Sequence, residues 1–179
     1  EASLTNAGLV GIPELTLVAS GAVQANDSTS AERLDWAAVT GTGNEIDGVD
    51  LEIDETVVFA AAGSAALDAF GFVVASGSFS LELLSGISID DGAAPVAAFT
   101  ADVLTLSATV SGFAGIGASL SDATSSATVV TTDAIGFTLG TSSLELAIVQ
   151  DSTTDATYVG VEASLTNAGL VGIPELTLV

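Results

Sequence analysis

Residues 72–83 read FVVASGSFSLEL, in which apolar and small polar side chains alternate. The same two-residue period occurs in four other runs, 15–23, 103–113, 144–149 and 158–165. Because successive side chains of a strand point to opposite faces, this period in segments rich in Val, Thr, Leu and Phe predicts half-buried β-strands. Only 30–36 and 63–69 suit a short helical turn, so the sequence predicts an all-β protein.

The two ends of the chain carry the same eighteen residues, EASLTNAGLVGIPELTLV, at 1–18 and again at 162–179. The offset between the two copies is 162 − 1 = 161 residues. Self-similarity at a fixed period is typical of tandem arrays. We therefore expect 1–161 to be one full repeat and 162–179 to be the start of the next, identical to 1–18. The alternative interpretation is an engineered chain with one end duplicated.

The connections between the alternating runs favour one arrangement of the predicted strands. Residues 151–155, DSTTD, join two of these runs and have a length that suits an antiparallel hairpin. We therefore expect an antiparallel meander rolled into an elongated sandwich or tube that is continuous between repeats. A parallel β-solenoid is the alternative, since the period divides into about seven coils of roughly 23 residues.

The composition excludes several classes of function. The chain of 179 residues has 23 Asp and Glu, a single basic residue (Arg33), no His and no Cys, and a formal charge of −22. So negative a protein repels the phosphates of nucleic acids and anionic lipids. No His or Lys is present to activate a Ser or Thr nucleophile, so we expect no enzyme. Gly, Ser or Asp interrupts every long apolar run, so we expect no membrane insertion.

Clustered carboxylates are the only candidates for a bound cofactor. Residues 44–55 read NEIDGVDLEIDE, and a strand over 49–54 would place Asp50, Glu52 and Asp54 on one side, about 7 Å apart. Calcium takes six to eight hard oxygen ligands, which such a segment supplies. The alternative is a solvated acidic face, and for 90–92, DDG, a plain turn. The candidate calcium ligands are Asp47, Asp50, Glu52, Asp54, Asp90 and Asp91.

Two further residues in the first quarter of the chain have more than one interpretation. Trp36, the one tryptophan, suits a core plug better than a recognition aromatic. Asn26 begins the triplet Asn-Asp-Ser, which matches a glycosylation acceptor but is also an ordinary turn.

Several segments follow an order found in a known class of proteins. These are LELAIV at 144–149, ATYVGVEASL at 156–165, LVGIPELTL at 170–178 and FGFVVASGSF at 70–79. Together they resemble the tandem repeats of very large exported or cell-surface proteins of aquatic bacteria. The resemblance implies a giant adhesin or surface filament, and it offers no catalytic residues.

These observations converge on a structural role outside the cell or at its surface. We expect one repeat of a long bacterial protein that forms a fibre, stalk or surface coat by end-to-end β-stacking. Its partners would be neighbouring repeats of the same chain and other copies in filaments or bundles. The alternative is an adhesin module that binds a carbohydrate or another cell surface through loops such as 26–44.

Overall fold

The computed structural model describes residues 1–30, 32–92 and 97–172. Long strands account for most of these residues, and the one α-helix among them has four residues. The elements are β1 (Ala2–Gly8), β2 (Leu15–Ala25), α1 (Trp36–Val39), β3 (Val57–Ala69), β4 (Val73–Ile89), β5 (Phe99–Ile116), β6 (Ser119–Leu120), β7 (Val129–Val130), β8 (Ile135–Asp151), β9 (Thr157–Ser164) and β10 (Gly169–Val171). The predicted all-β fold is confirmed.

Eight of the strands form one antiparallel meander sheet, in which the order begins β1-β2-β3-β4-β5-β8. Strands β9 and β10 both pair with the outer side of β8, one after the other, while β6 and β7 form a separate small hairpin. Every ladder is antiparallel, so the predicted meander is confirmed and the parallel solenoid is not the fold. The sheet is open and does not close into a barrel.

The period of two predicted the strands well and the helical turns badly. All five alternating runs coincide with strands, namely β2, β4, β5, β8 and β9, to within one residue at an end. The predicted turn at 63–69 is wrong, because this segment belongs to β3 and pairs with a strand on each side. The turn predicted at 30–36 is displaced: α1 begins at Trp36, where the Asp35 side chain accepts from the Ala38 N–H as an N-cap.

The two faces of the sheet differ in chemistry, because directly paired residues of antiparallel strands share a face. We call one side the apolar face; its residues include Leu17, Leu67, Phe79, Leu81, Leu106, Val110, Leu144 and Leu146. We call the other side the hydroxyl face; its residues include Ser20, Ser64, Ser78, Ser80, Ser107, Thr109 and Ser143. The alternation of the sequence therefore separates two surfaces.

The chain covers parts of the hydroxyl face with its own segments. At one end the β6–β7 hairpin packs on a small core of Val74, Phe113, Ala118 and Ala134. At the other end, the Gln24 side chain of β2 donates to a carbonyl of the loop 26–56. Beside the hairpin, the face forms a concavity lined by hydroxyl groups, among them those of Ser64, Ser78 and Thr109.

Asn26 anchors the loop that follows β2. It is only 1% exposed, and its Nδ2 donates to the carbonyls of Leu34 and Asp54 at 2.8 and 3.0 Å. Its Oδ1 accepts from Nε1 of Trp36, which is half-buried. Because both amide donors are used inside the fold, Asn26 is structural and not a site for a glycan. Trp36 helps to close this loop.

Candidate functional site

The acidic segment 44–55 does not form the arrangement that a strand would give it. Residues 49–54 are loop, so the strand considered there is wrong. The physical reason is Ile53, which is buried and whose carbonyl accepts from the N–H groups of Trp36 and Ala37. The segment therefore packs against the start of α1 instead of pairing in the sheet.

The individual carboxylates of this segment serve its local turns. Asp47 accepts from the Gly48 N–H, and Asp54 accepts from the N–H groups of Thr56 and Val57 and from the Thr56 hydroxyl. Asp50 lies beside Gly41, and the Glu52 carbonyl accepts from Gln24. Two of the side chains singled out as calcium ligands, Asp47 and Asp54, thus satisfy backbone N–H groups of the turns.

The second acidic candidate is also a turn. Asp90 accepts from the Gly92 N–H at 2.8 Å, and Asp91 lies between them. In the part of the chain that the structure describes, no group of three or more Asp or Glu side chains is gathered so that it could hold a metal ion. Calcium binding stays a prediction.

A recurrent carboxylate turn was missed at the level of sequence. Asp54, Asp122 and Asp151 each accept from the backbone and the hydroxyl of a threonine two or three residues later, Thr56, Thr124 and Thr154. The threonine hydroxyls, followed by the backbone N–H bonds, lower the pKa of all three carboxyls. The signal that could have found these turns is Asp followed at this spacing by Thr, close to the end or the start of a strand.

The strongest candidate for a functional surface is the pair of sheet edges. The repeated sequence lies at both: β1 is one edge strand, and β9 and β10 form the other. The first copy pairs with the strand that follows it, with Ala2 opposite Val23 and Gly8 opposite Val18. The second copy pairs instead with β8, the strand that precedes it. One sequence therefore has two different partners on two different sides.

Two equivalent positions of the two copies have the same backbone conformation despite the different partners. Asn6 and Asn167, equivalent by the offset, have φ angles of 46° and 53°, and Gly11 and Gly172 have φ angles of 94° and 75°. For a residue other than glycine this left-handed conformation is uncommon, so its recurrence at one position is informative.

Equivalent residues of the two copies also lie on the same face. Ala2 pairs with Val23 and its equivalent Ala163 pairs with Leu144, and all of these side chains belong to the apolar face. A strand whose alternation were reversed could not continue the same two-faced sheet.

The exposure of one valine differs between the two copies, because, in the described parts of the chain, only the second copy has a neighbouring strand on that side. Val10 is 88% exposed, whereas its equivalent Val171 is half-buried and packs against the core around Phe113. The difference arises because Val171 has β8 beside it and Val10 has no such neighbour among the described residues. The same side chain is thus a surface residue in one copy and part of a core in the other.

Comparison with known protein families, with curated proteins and with solved structures found no match. The resemblance to repeats of large surface proteins therefore stays a prediction. None of the helices in the described residues has the length and apolar character needed to cross a membrane.

Proposed function

We propose that this chain is a structural repeat of a long extracellular bacterial protein, built into a fibre, stalk or surface coat by end-to-end β-stacking. The observation that carries the proposal is the location of one sequence at both edges of one sheet. Giving the repeated strand both of its observed partners at once places it between β8 of one repeat and β2 of the next. The meander then runs on without an edge, which protects the N–H and C=O groups that an edge strand exposes.

The side chains of the repeated strand support this continuous sheet. In the combined arrangement, Leu144, Ala2 and Val23 stand in one row on the apolar face. On the hydroxyl face, Thr138, Gly8 and Val18 stand in another row. Val10, exposed at the front edge, would be buried on the preceding repeat in the way that Val171 is buried here. Half-burying such a side chain contributes about 1 kcal/mol, since complete burial contributes about 1.5–3 kcal/mol.

The apolar face supports association between copies side by side. Over the five strands β2–β5 and β8, eleven residues deep as in β2, it spans roughly 900 Å² at about 4.8 Å per strand and 3.4 Å per residue. A standard interface buries about 800 Å² on each partner, so the apolar face is of comparable size. Asp68, Glu82 and Glu145 lie on the opposite face, so two apolar faces can meet without burying them. The proposed occupant is the same face of a second copy.

The charge of the chain fits such an assembly in an aqueous exterior. Each repeat adds a large negative charge, which keeps neighbouring fibres hydrated and apart. The absence of Cys means that the fibre relies on ladders and packing for its strength. The resemblance of 144–165 to repeats of bacterial surface proteins points to the same role.

Releasing one copy of the repeated strand tests end-to-end stacking. A front variant carries Ala2→Pro and Ser3→Pro, and a back variant carries the equivalent changes Ala163→Pro and Ser164→Pro, at four residues that all lie in ladders. Adjacent strand residues point their N–H groups to opposite sides, so a proline pair always removes a ladder donor. In the front variant the edge of β2 is exposed, and the second copy of the repeated strand in another molecule can pair with it. In the back variant the edge of β8 is exposed, and β1 of another molecule can pair with it.

We expect both variants to form head-to-tail filaments, visible by electron microscopy and as growing mass in light scattering. The matched control carries all four prolines and has both edges open with no intact strand to fill them, so it should add no filaments. The unaltered chain, in which both strands are filled, supplies the baseline. Single variants that stay at this baseline while retaining their β-sheet circular dichroism would contradict the proposed function.

A further inference from the structure

Two irregularities lie side by side where the second copy meets β8. Between Ser143 and Thr138 the chain of β8 advances five residues, and between their partners Ser164 and Gly169 the repeated strand also advances five. Against its other neighbour, β5, strand β8 has one extra residue in this stretch. The repeated strand likewise has one extra residue against β2 in the first copy, between Leu4 and Ala7. The two bulges are therefore matched to each other.

Gly140 allows the two bulges to nest. A Cβ atom at this position would collide with the Thr166 carbonyl oxygen and lie 2.9 Å from Cβ of Asn167. Any side chain at position 140 would push the repeated strand away from β8. By contrast, a Cβ at Gly160 in β9 would meet nothing within 4 Å. The glycine at 140 is thus required by the backbone of the adjacent strand, whereas the one at 160 is not.

The other side of the same bulge is held by polar side chains in the first copy. The Asn6 N–H donates to the Ser20 hydroxyl at 2.7 Å, and Oδ1 of Asn6 accepts from the Ser125 N–H at 3.1 Å. Ser125 belongs to the turn of the β6–β7 hairpin, and its hydroxyl donates to Ser20 at 2.7 Å. Among residues 1–30, 32–92 and 97–172, the Asn167 side chain of the second copy makes no hydrogen bond. The Ser125 N–H, which binds the equivalent Asn6 in the first copy, is already used there.

We infer that this bulge is the register lock between repeats, with Gly140 supplied by one repeat and Ser20 and Ser125 by the next. The inference rests on the proposed function and names its partner surface: β8 around Gly140 receives the bulge of a second copy's β1. A slip by one residue would reverse the faces of every following strand. A slip by two would keep the faces but move the left-handed asparagine away from Gly140, where only a glycine leaves room for it.

The back variant tests this lock, because its β8 must take β1 from another molecule. The chain has no cysteine of its own, so introduced cysteines report pairing without background. The observed partners Phe137 and Leu170 predict that Phe137→Cys and Leu9→Cys will cross-link between molecules. Phe137→Cys with Ala7→Cys, two residues away on the same face, is the off-register control. Diagonal neighbours about 7–8 Å apart form a disulfide poorly.

The role of Gly140 is tested in the same background. We expect Gly140→Ala to lower filament formation by the back variant at least tenfold, and Gly160→Ala to leave it unchanged. Filaments that cross-link equally well in the Ala7→Cys control, or that tolerate Gly140→Ala, would overturn the register lock while leaving the structural repeat in place. If the back variant forms no filaments at all, the proposed function fails, and the inference that rests on it falls with it.

Discussion

The two faces of the sheet show how one alternating sequence makes two different surfaces. On the hydroxyl face, Phe113 is 3% exposed because the β6–β7 hairpin packs over it. On the apolar face, Phe79 is 47% exposed, with Gly63 and Ala108 as its directly paired neighbours. The core of a single copy thus lies on the hydroxyl face, and the apolar face stays exposed to solvent. Large open apolar surfaces on a folded protein mark interaction sites.

The largest expected effect is a difference in unfolding free energy between alanine variants of Phe113 and Phe79. Phe113→Ala should lower the free energy of unfolding by about 3–5 kcal/mol, because it leaves a cavity under the hairpin. Phe79→Ala should lower it by only about 1 kcal/mol, since roughly half of the side chain already lies in water. Urea unfolding of dilute protein measures both. Equal losses would mean that the apolar face is covered within a single copy, against the contrast drawn between the faces.

A smaller effect concerns association through the apolar face. Phe79→Glu places a charge in the middle of this face, and we expect it to weaken pairing of copies at least tenfold, about 1.4 kcal/mol. Ser78→Glu is the matched control, because it adds the same charge one residue away on the hydroxyl face. Sedimentation of both variants over a range of concentrations measures the difference. If both charges weaken association alike, net repulsion and not the face is responsible.

Five of the ten described strands, among them four of the five longest, could be predicted from the sequence, because a period of two is a local property. β4 and β5 alternate over most of their residues and pair along nearly their full lengths. β3 was missed because its run of Ala, Gly and Ser shows little contrast between its faces. The loop 49–54 was open to a strand interpretation because its alternation is real; a tertiary contact, the Ile53 carbonyl at α1, decides otherwise.

At the two sheet edges, part of the candidate site could be predicted from the sequence and part could not. The identity of 1–18 with 162–179 predicted a boundary shared by two repeats. The bulge at Asn6 could not be predicted, because asparagine tolerates the left-handed region without announcing it, and no turn dipeptide accompanies it. Gly140 and Ser125 lie far from Asn6 in sequence, so their roles depend on pairings that only the fold supplies.

The smallest expected effect is a loss of stability at low pH through Asp122 of the β6–β7 hairpin, which covers part of the hydroxyl face. Asp122 lies in the turn of the β6–β7 hairpin, where bonds from the Thr124 hydroxyl and N–H lower the pKa of its carboxyl below the ordinary 3.8. The unfolded chain therefore binds this proton more readily than the folded one. Its stabilisation is present above pH 3.8 and is lost as the pH falls through the folded pKa. Asp54 and Asp151 act in the same direction.

The lowered pKa of Asp122 predicts how the stability of an Asp122 variant should depend on pH. Asp122→Ala removes one of the three lowered carboxyls, so its urea midpoint should fall less between pH 5 and pH 3 than that of the unaltered chain. Asp27→Ala removes the same charge from a turn outside the hairpin and serves as the control. A midpoint that falls as steeply in Asp122→Ala as in the control would show that the hairpin does not depend on this carboxylate.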